Sequence, residues 1–154
     1  MLGDFQPAPE WRQHASGIAI SDQRSEVMQI KSAKDLIIYQ KAYALAMRVF
    51  ELSKRFPVDE KYSLTDQIRR SSRSVCTNLR EAWAKRRYPA HFISKLSDSD
   101  SENSETDSWL DFAKDCGYFS AKDHNELTVL CAEVGKMLGA MINNPTKFLL
   151  TADR

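Results

Sequence analysis

Four arginines at helical spacing are the strongest functional signal in this sequence. In a helix of about 100° per residue, they would fall within an arc of about 40°. They are Arg69, Arg73, Arg80 and Arg87. The apolar residues of the same stretch lie on the other side of the predicted helix: Leu64, Ile68, Val75, Leu79 and Ala82. Guanidinium groups bind both carboxylates and phosphates, so residue type leaves both kinds of partner open.

Charge is distributed unevenly between two neighbouring segments. Residues 64–88 contain seven Lys and Arg, among them Lys85 and Arg86, and two acidic residues, so their net charge is +5. Residues 89–117 contain two Lys and seven acidic residues, so their net charge is −5. In a structural interpretation, the two segments neutralise each other, within a subunit or across an interface. In a functional interpretation, the arginine row faces solvent and binds phosphates along about 27 Å of helix.

No motif for catalysis or metal binding is present. The three histidines, His14, His91 and His124, fall in separate segments, away from ligand spacing with another His or a Cys. The sequence has no Glu-x-x-His pair, no Gly-x-Ser-x-Gly turn and no glycine-rich phosphate loop. We therefore predict no catalytic residues, no metal, no cofactor and no enzymatic activity.

Composition favours long helices. The 154 residues are 42% apolar and 28% charged, with only five Gly and five Pro. Three cysteines without a C-x-x-C pair predict reduced, buried thiols. The sequence lacks a run of 18 apolar residues, and residues 1–13 lack the pattern of a signal peptide. We expect a cytoplasmic protein without a membrane span.

Capping patterns and prolines predict four helices, at residues 35–55, 64–88, 89–116 and 121–143. Ser-x-x-Asp patterns begin at Ser32, Ser63 and Ser120, Pro89 opens the third helix, and Gly117 closes it. Short connections indicate an all-α, antiparallel up-down-up-down four-helix bundle over residues 32–144. A flexible N-terminal arm, residues 1–31, precedes the predicted bundle, and a C-terminal tail, residues 145–154, follows it.

The first predicted helix has two apolar stripes, about 120° apart. One contains Leu36, Tyr39, Tyr43, Ala46 and Phe50, and the other contains Ile38, Ala42, Leu45, Val49 and Leu52. A helix at the edge of a small bundle needs one stripe. The second stripe is explained either by a central place in the monomer core or by a subunit interface.

The middle of the third predicted helix, residues 97–108, contains no apolar residue. A disordered acidic loop is one interpretation. We prefer a continuous helix, which places Ser99, Asn103 and Thr106 on the core face, where they need hydrogen-bond partners. The candidate polar network consists of Gln67, Arg70 and Asn78 from the second helix, with Glu102 and Glu105 as carboxylate partners of Arg70.

A more specific pattern runs through the first three predicted helices. It comprises Leu36-x-x-Tyr39-Gln-Lys-Ala42, Phe56-Pro-x-x-Glu-x-Tyr-x-Leu-x-x-Gln-Ile-Arg-Arg70, Ser74-Val-x-x-Asn-Leu-x-Glu81 and Trp109-Leu110. Over residues 34–143 the sequence resembles the bacterial four-helix bundle proteins encoded in intervening sequences of the large-subunit ribosomal RNA gene. The accessory variability protein of diversity-generating retroelements looks like a relative.

The resemblance implies a homopentamer and, through that relative, association with nucleic acid and a reverse transcriptase. Two departures are that Ala82 replaces a usual Gly and that the net charge of +1 is low for a dedicated nucleic-acid binder. We expect a non-catalytic module that associates with RNA or DNA, in rRNA or reverse-transcriptase complexes. The alternative is a structural, protein-binding adaptor whose charges serve self-assembly. The candidate nucleic-acid-binding residues are Arg69, Arg73, Arg80, Lys85, Arg86 and Arg87.

Overall fold

A computed structural model describes residues 30–151 of the chain. Four long helices account for most of this part: α1 (Ile37–Ser53), α2 (Leu64–Ala84), α3 (Pro89–Asp115) and α4 (Ala121–Asn143). Short 3₁₀ helices, Ala33–Asp35 and Val58–Glu60, precede α1 and α2. Residues 30–151 contain no strand, so the all-α prediction is confirmed. The predicted N-terminal arm lies outside the described residues, apart from residues 30 and 31.

Each helix runs antiparallel to the next, and α4 packs back against α1. Between α2 and α3, Val75 contacts Ser99 and Ser71 contacts Thr106. Residue numbers therefore fall along α2 as they rise along α3, which makes the two helices antiparallel. The ion pairs Lys41–Glu133 and Arg48–Asp123 show the same opposition between α1 and α4. The four-helix bundle prediction is therefore confirmed. Among the described helices, none is both long and apolar enough to cross a membrane.

Apolar side chains from all four helices fill the interior of the bundle. The largest that are fully buried include Leu45, Val49, Ile68, Val75, Leu79, Phe92, Leu96, Leu110, Leu127, Val134 and Leu138. The tail after α4 adds an edge to this core, because the Phe148 ring lies 6.4 Å from the Phe92 ring, centroid to centroid. Burial of these aliphatic and aromatic side chains is the main favourable term in folding.

The two stripes of α1 have different surroundings. The stripe from Ile38 to Leu52 is buried in the core, whereas the other is covered only in part. Tyr39 and Tyr43 stack at 6.2 Å between ring centroids, and Tyr43 is 46% exposed, with Met47 beside it at 38%. These three residues form what we call the α1 outer face. A central position of α1 in the monomer core therefore does not explain the second stripe.

The third helix is continuous through its polar middle, as predicted. Ser99, Asn103 and Thr106 are buried, and each has a hydrogen-bond partner. Ser99 Oγ donates to Val75 O at 2.8 Å, Asn103 Nδ2 donates to Cys131 O at 2.9 Å, and Thr106 Oγ1 donates to Ser71 Oγ at 2.9 Å. We call this set the polar seam. Within residues 30–151, no buried side-chain nitrogen or oxygen is left unpaired.

The partners in the polar seam differ from those expected, and this part of the prediction is corrected. Asn78 Nδ2 donates to Ser74 O of its own helix, and Arg70 pairs with Asp66 at 3.9 Å. The physical reason is the small size of the α2 residues that face α3, such as Ser71. Small side chains let the two backbones approach, and the Val75 carbonyl and the Ser71 hydroxyl of α2 accept hydrogen bonds from α3.

Helix starts follow the sequence pattern in two of three cases. Ser120 Oγ accepts from Asp123 N at 3.0 Å and caps α4 as predicted. Ser32 and Asp35 form a capping box, but it caps the 3₁₀ helix, and α1 starts two residues later than predicted. Ser63 makes no side-chain cap on α2, because the Glu60 carboxylate accepts the Leu64 N–H at 3.1 Å instead.

The helix ends show one clear difference. α2 ends at Ala84, four residues before the predicted end, and residues 85–88 form a turn in which Tyr88 N donates to Lys85 O at 2.9 Å. Two long antiparallel helices need several residues to reverse direction, and the prediction left none. α3 closes at Gly117, whose φ of +80° suits glycine. Cys76 and Cys131 are buried, but Cys116 is exposed, so the buried-thiol prediction was wrong for Cys116.

Candidate nucleic-acid interface

Arg69 is held against α1 and not extended into solvent. Its Nε donates to Ser53 Oγ at 2.7 Å, and its guanidinium lies 5.0 Å from the centre of the Phe50 ring. Ser53 is itself buried and donates to Phe50 O at 3.0 Å. These contacts make Arg69 a tie between α1 and α2. Sequence reasoning missed it, although the antiparallel register of the two helices brings Phe50 and Ser53 to this level.

Arg73 and Arg80 present their charges to solvent. Arg73 is exposed, with its guanidinium 5.7 Å from the Phe50 ring centre, and Lys54 Nζ approaches the same ring at 4.7 Å. Arg80 lies two turns further along α2 and is also exposed. Within residues 30–151, neither arginine forms an ion pair with a carboxylate. Both are therefore available to an anionic partner.

The turn after α2 contains Lys85, Arg86 and Arg87. Contrary to the prediction, Arg87 therefore does not continue the helical row of arginines. Arg86 folds back over Trp83, with its guanidinium 3.6 Å from the ring centre and its Nε donating to Trp83 O at 2.8 Å. Burial at this position lowers the pKa of Arg86. Lys85 and Arg87 are exposed, and neither pairs with a carboxylate in the described part of the chain.

Direct pairing does not neutralise α2 against α3 within the subunit. The ion pair that joins these helices among residues 30–151 links Glu81 of α2 to Lys95 of α3 at 2.9 Å, which is the reverse of the overall charge pattern. The hydrogen bond and the charge of Lys95 lower the pKa of Glu81. The hydrogen bond and the charge of Glu81 in turn raise the pKa of Lys95, and Asp98, at 3.6 Å, raises it further. The basic residues of α2 take no part in this pairing.

Carboxylates accumulate on α3. Asp98 lies 3.6 Å from Lys95 and Asp111 contacts His124 Nε2 at 2.8 Å, and no ion pair among residues 30–151 compensates the other five. Burial raises the pKa of Glu102, the charges of Glu105 and Asp98 raise it further, and Arg70 opposes them. Burial and the charge of Asp111 likewise raise the pKa of Asp107, with His124 opposing. No ion pair joins Arg70 to either predicted partner, and Glu105 instead accepts from Trp109 Nε1 at 3.1 Å. The bundle thus carries a basic surface on α2 and an acidic surface on α3.

No group of three or more His, Cys, Asp or Glu in the described part of the chain is placed to hold a metal.

Comparison with known proteins agrees with this helical arrangement. A crystal structure of a protein of unknown function from the S23 ribosomal protein family of Bacteroides thetaiotaomicron is similar. It has a TM-score of 0.64 and 28% sequence identity, over 70% of this chain and 96% of that one. A search of functionally curated proteins finds no match.

The family is identified by a longer correspondence. The model of the 23S rRNA-intervening sequence protein family matches residues 34–140, which include all of α1, α2 and α3 and most of α4. The match covers the region in which the sequence pattern and the antiparallel bundle were described above. The chain therefore belongs to the 23S rRNA-intervening sequence protein family.

Proposed function

We propose that this protein is a non-catalytic, self-associating bundle of the cytoplasm that binds the phosphate backbone of RNA or DNA through α2 and the turn after it. Arg73, Arg80, Lys85 and Arg87 supply the charges. Arg69 and Arg86 support this surface, because their guanidinium groups are engaged with Phe50 and Trp83. Ribosomal RNA and a reverse-transcriptase complex are the partners that the resemblance suggests.

One observation carries the proposal. Arg73 and Arg80 of α2, with Lys85 and Arg87 of the turn after it, form no ion pair with a carboxylate in the described part of the chain, although the acidic helix α3 packs directly beside α2. If the function of these charges were to hold α2 to α3 within the subunit, we would expect basic-to-acidic pairs across that contact. Phosphate groups along a nucleic acid provide the complementary charge, and arginine forms paired hydrogen bonds with them.

A salt titration tests this proposal. Each phosphate that is neutralised releases condensed counterions, so four contacts per subunit give a slope of about −3 to −4 in log K against log salt on a duplex. Arg80→Ala should make that slope shallower by about one. Lys136→Ala, which removes an exposed cation of α4, is the matched control and should leave it unchanged. Equal losses in both variants, or no binding at about 50 mM salt, would contradict the proposal.

Self-association rests on a separate observation, the α1 outer face. Stacked tyrosines and a methionine are partly exposed to solvent on a helix whose other side fills the core. Aromatic and methionine side chains are enriched where protein surfaces meet. We propose that this face contacts another copy of the chain in a homopentamer. In the adaptor alternative, the charges of α2 also serve contacts between copies of the chain and do not bind nucleic acid.

A further inference from the structure

The turn between α2 and α3 places exposed aromatic rings beside cations that form no ion pair in the described part of the chain. Tyr88 is 58% exposed, and the centre of its ring lies 5.6 Å from that of the exposed His91. Lys85 and Arg87 are exposed on the same turn. We call Lys85, Arg87, Tyr88 and His91 the turn patch. A surface that only attracts phosphates has no use for the rings, so their position requires its own explanation.

The backbone at Tyr88 is held in a defined conformation. Tyr88 N donates to Lys85 O at 2.9 Å, and Tyr88 O accepts from Phe92 N at 2.9 Å. Pro89 follows, and Tyr88 has the extended conformation that a residue before proline prefers, with φ −118° and ψ 100°. The ring is therefore presented from an ordered backbone. Less conformational entropy is lost when a flat ligand stacks on a ring whose backbone is already ordered.

The positive charge of the turn patch is offset only in part by nearby carboxylates. The sequence has no acidic residue from position 82 to 97. Glu81, one turn before Lys85, is paired with Lys95 at 2.9 Å, and the charge of Lys85 contributes to its lowered pKa, so this one carboxylate is shared between two lysines. The tail after α4 is held nearby, since Leu150 N donates to Arg86 O at 3.3 Å, and residues 144–151 contain Lys147 and no acid. Anions approaching the patch therefore meet a surface of net positive charge.

We propose that the turn patch binds unpaired nucleotides of single-stranded nucleic acid. A base stacks on Tyr88, and Lys85 and Arg87 contact the phosphates on either side of it. Every base has a flat face, so such a site tolerates many sequences. A base inside a duplex has no free face to offer, which separates this site from the duplex-competent row of Arg73 and Arg80. The inference rests on the proposed function and adds the strandedness of the ligand.

Fluorescence anisotropy with a labelled single strand and the matching duplex, each of about 20 nucleotides per strand, tests the inference. We expect Tyr88→Ala to weaken single-strand binding by about 5- to 100-fold and duplex binding by less than about twofold. Tyr88→Phe keeps the ring and should bind both as the wild type does. A melting curve for each variant checks folding, and if Tyr88→Ala melts early, His91→Ala replaces it, with a smaller loss in the same direction.

The outcomes separate this inference from the proposed function. If Tyr88→Ala binds single strands as well as the wild type while Arg80→Ala weakens binding, the turn patch is not a nucleotide site, and the proposed function stands. Equal losses on single strand and duplex also overturn the inference, because they assign Tyr88 to general binding. If the wild type binds neither ligand, both proposals fail, and the patch is left to a protein partner.

Discussion

At the scale of single residues, arginines that look equivalent in the sequence have different surroundings. Arg69 donates to a buried serine and covers an aromatic ring, while Arg73, one turn later, is exposed. We expect Arg69→Ala to lower the free energy of unfolding by about 1–2 kcal/mol, because it removes a charged hydrogen bond and a ring contact. Arg73→Ala should change it by less than about 0.5 kcal/mol. Urea denaturation measures both, and equal losses would show that Arg69 is not a tie.

A second residue-scale prediction concerns the acidic surface of α3. Burial holds the pKa of Glu102 above its usual value, so its ionisation opposes folding. At pH 7 the folded state bears this cost, and Glu102→Gln should raise the melting temperature. As the pH falls through the raised folded pKa towards the unfolded value of about 4.3, the folded wild type takes up its proton first and recovers stability.

The advantage of Glu102→Gln should therefore shrink steadily between neutral pH and about pH 4. Melting curves of the two proteins across this range measure the difference. A constant advantage at every pH would indicate that the glutamine acts through packing and not through charge. A loss of stability at pH 7 would mean that the Arg70 charge outweighs burial.

At the scale of elements, two glycines in α4 provide a matched pair. A Cβ at position 139 meets nothing within 4 Å, but a Cβ at position 135 lies 3.3 Å from Asn103 Nδ2. Alanine is favoured over glycine inside a helix by about 1 kcal/mol. Gly139→Ala should add most of this to the free energy of unfolding. Gly135→Ala should add less or subtract, because Asn103 is held by Cys131 on the polar seam.

Chemical denaturation of the two alanine variants tests this comparison. A larger gain at position 135 than at 139 would show that Asn103 shifts easily, and hence that the polar seam is loose. Gly117→Ala offers a further contrast, since its φ of +80° disfavours any side chain. That variant should destabilise the protein even though no atom beyond residues 116–118 lies within 4 Å of the added carbon.

The same elements show what the sequence can and cannot reveal. Helix cores were predictable because apolar residues recur at helical spacing, and even the polar middle of α3 kept Ser99, Asn103 and Thr106 in phase. Helix ends were less predictable. The side-chain oxygens of Glu60 and Ser63 can both accept a hydrogen bond from the first turn of α2, and only the conformation of the loop selects Glu60. The arginines were identified from spacing alone. Their separation into ties and free charges depends on contacts between helices that lie distant in sequence.

At the scale of the whole molecule, the α1 outer face predicts an assembly. Light scattering on the purified protein should give a mass near five times the 17.6 kDa of one chain. Tyr43→Glu places a charge on this face and should lower the mass. Tyr62→Glu alters an 83% exposed tyrosine outside α1 and is the matched control. A monomer mass for the wild type at micromolar concentration, or equal behaviour of the two variants, would contradict the assignment.

Because the three cysteines are buried to different extents, the rates at which they are alkylated report how often the helix bundle opens. Burial raises the pKa of Cys76 and of Cys131 to about 12, so neither sulfur offers a reactive thiolate while the bundle is closed. Cys116 is exposed at the end of α3. An alkylating reagent should therefore add one label per chain quickly, and further labels only when helices separate. Because Cys131 contacts Asn103, the rate of its alkylation would measure how often α3 and α4 part at the polar seam.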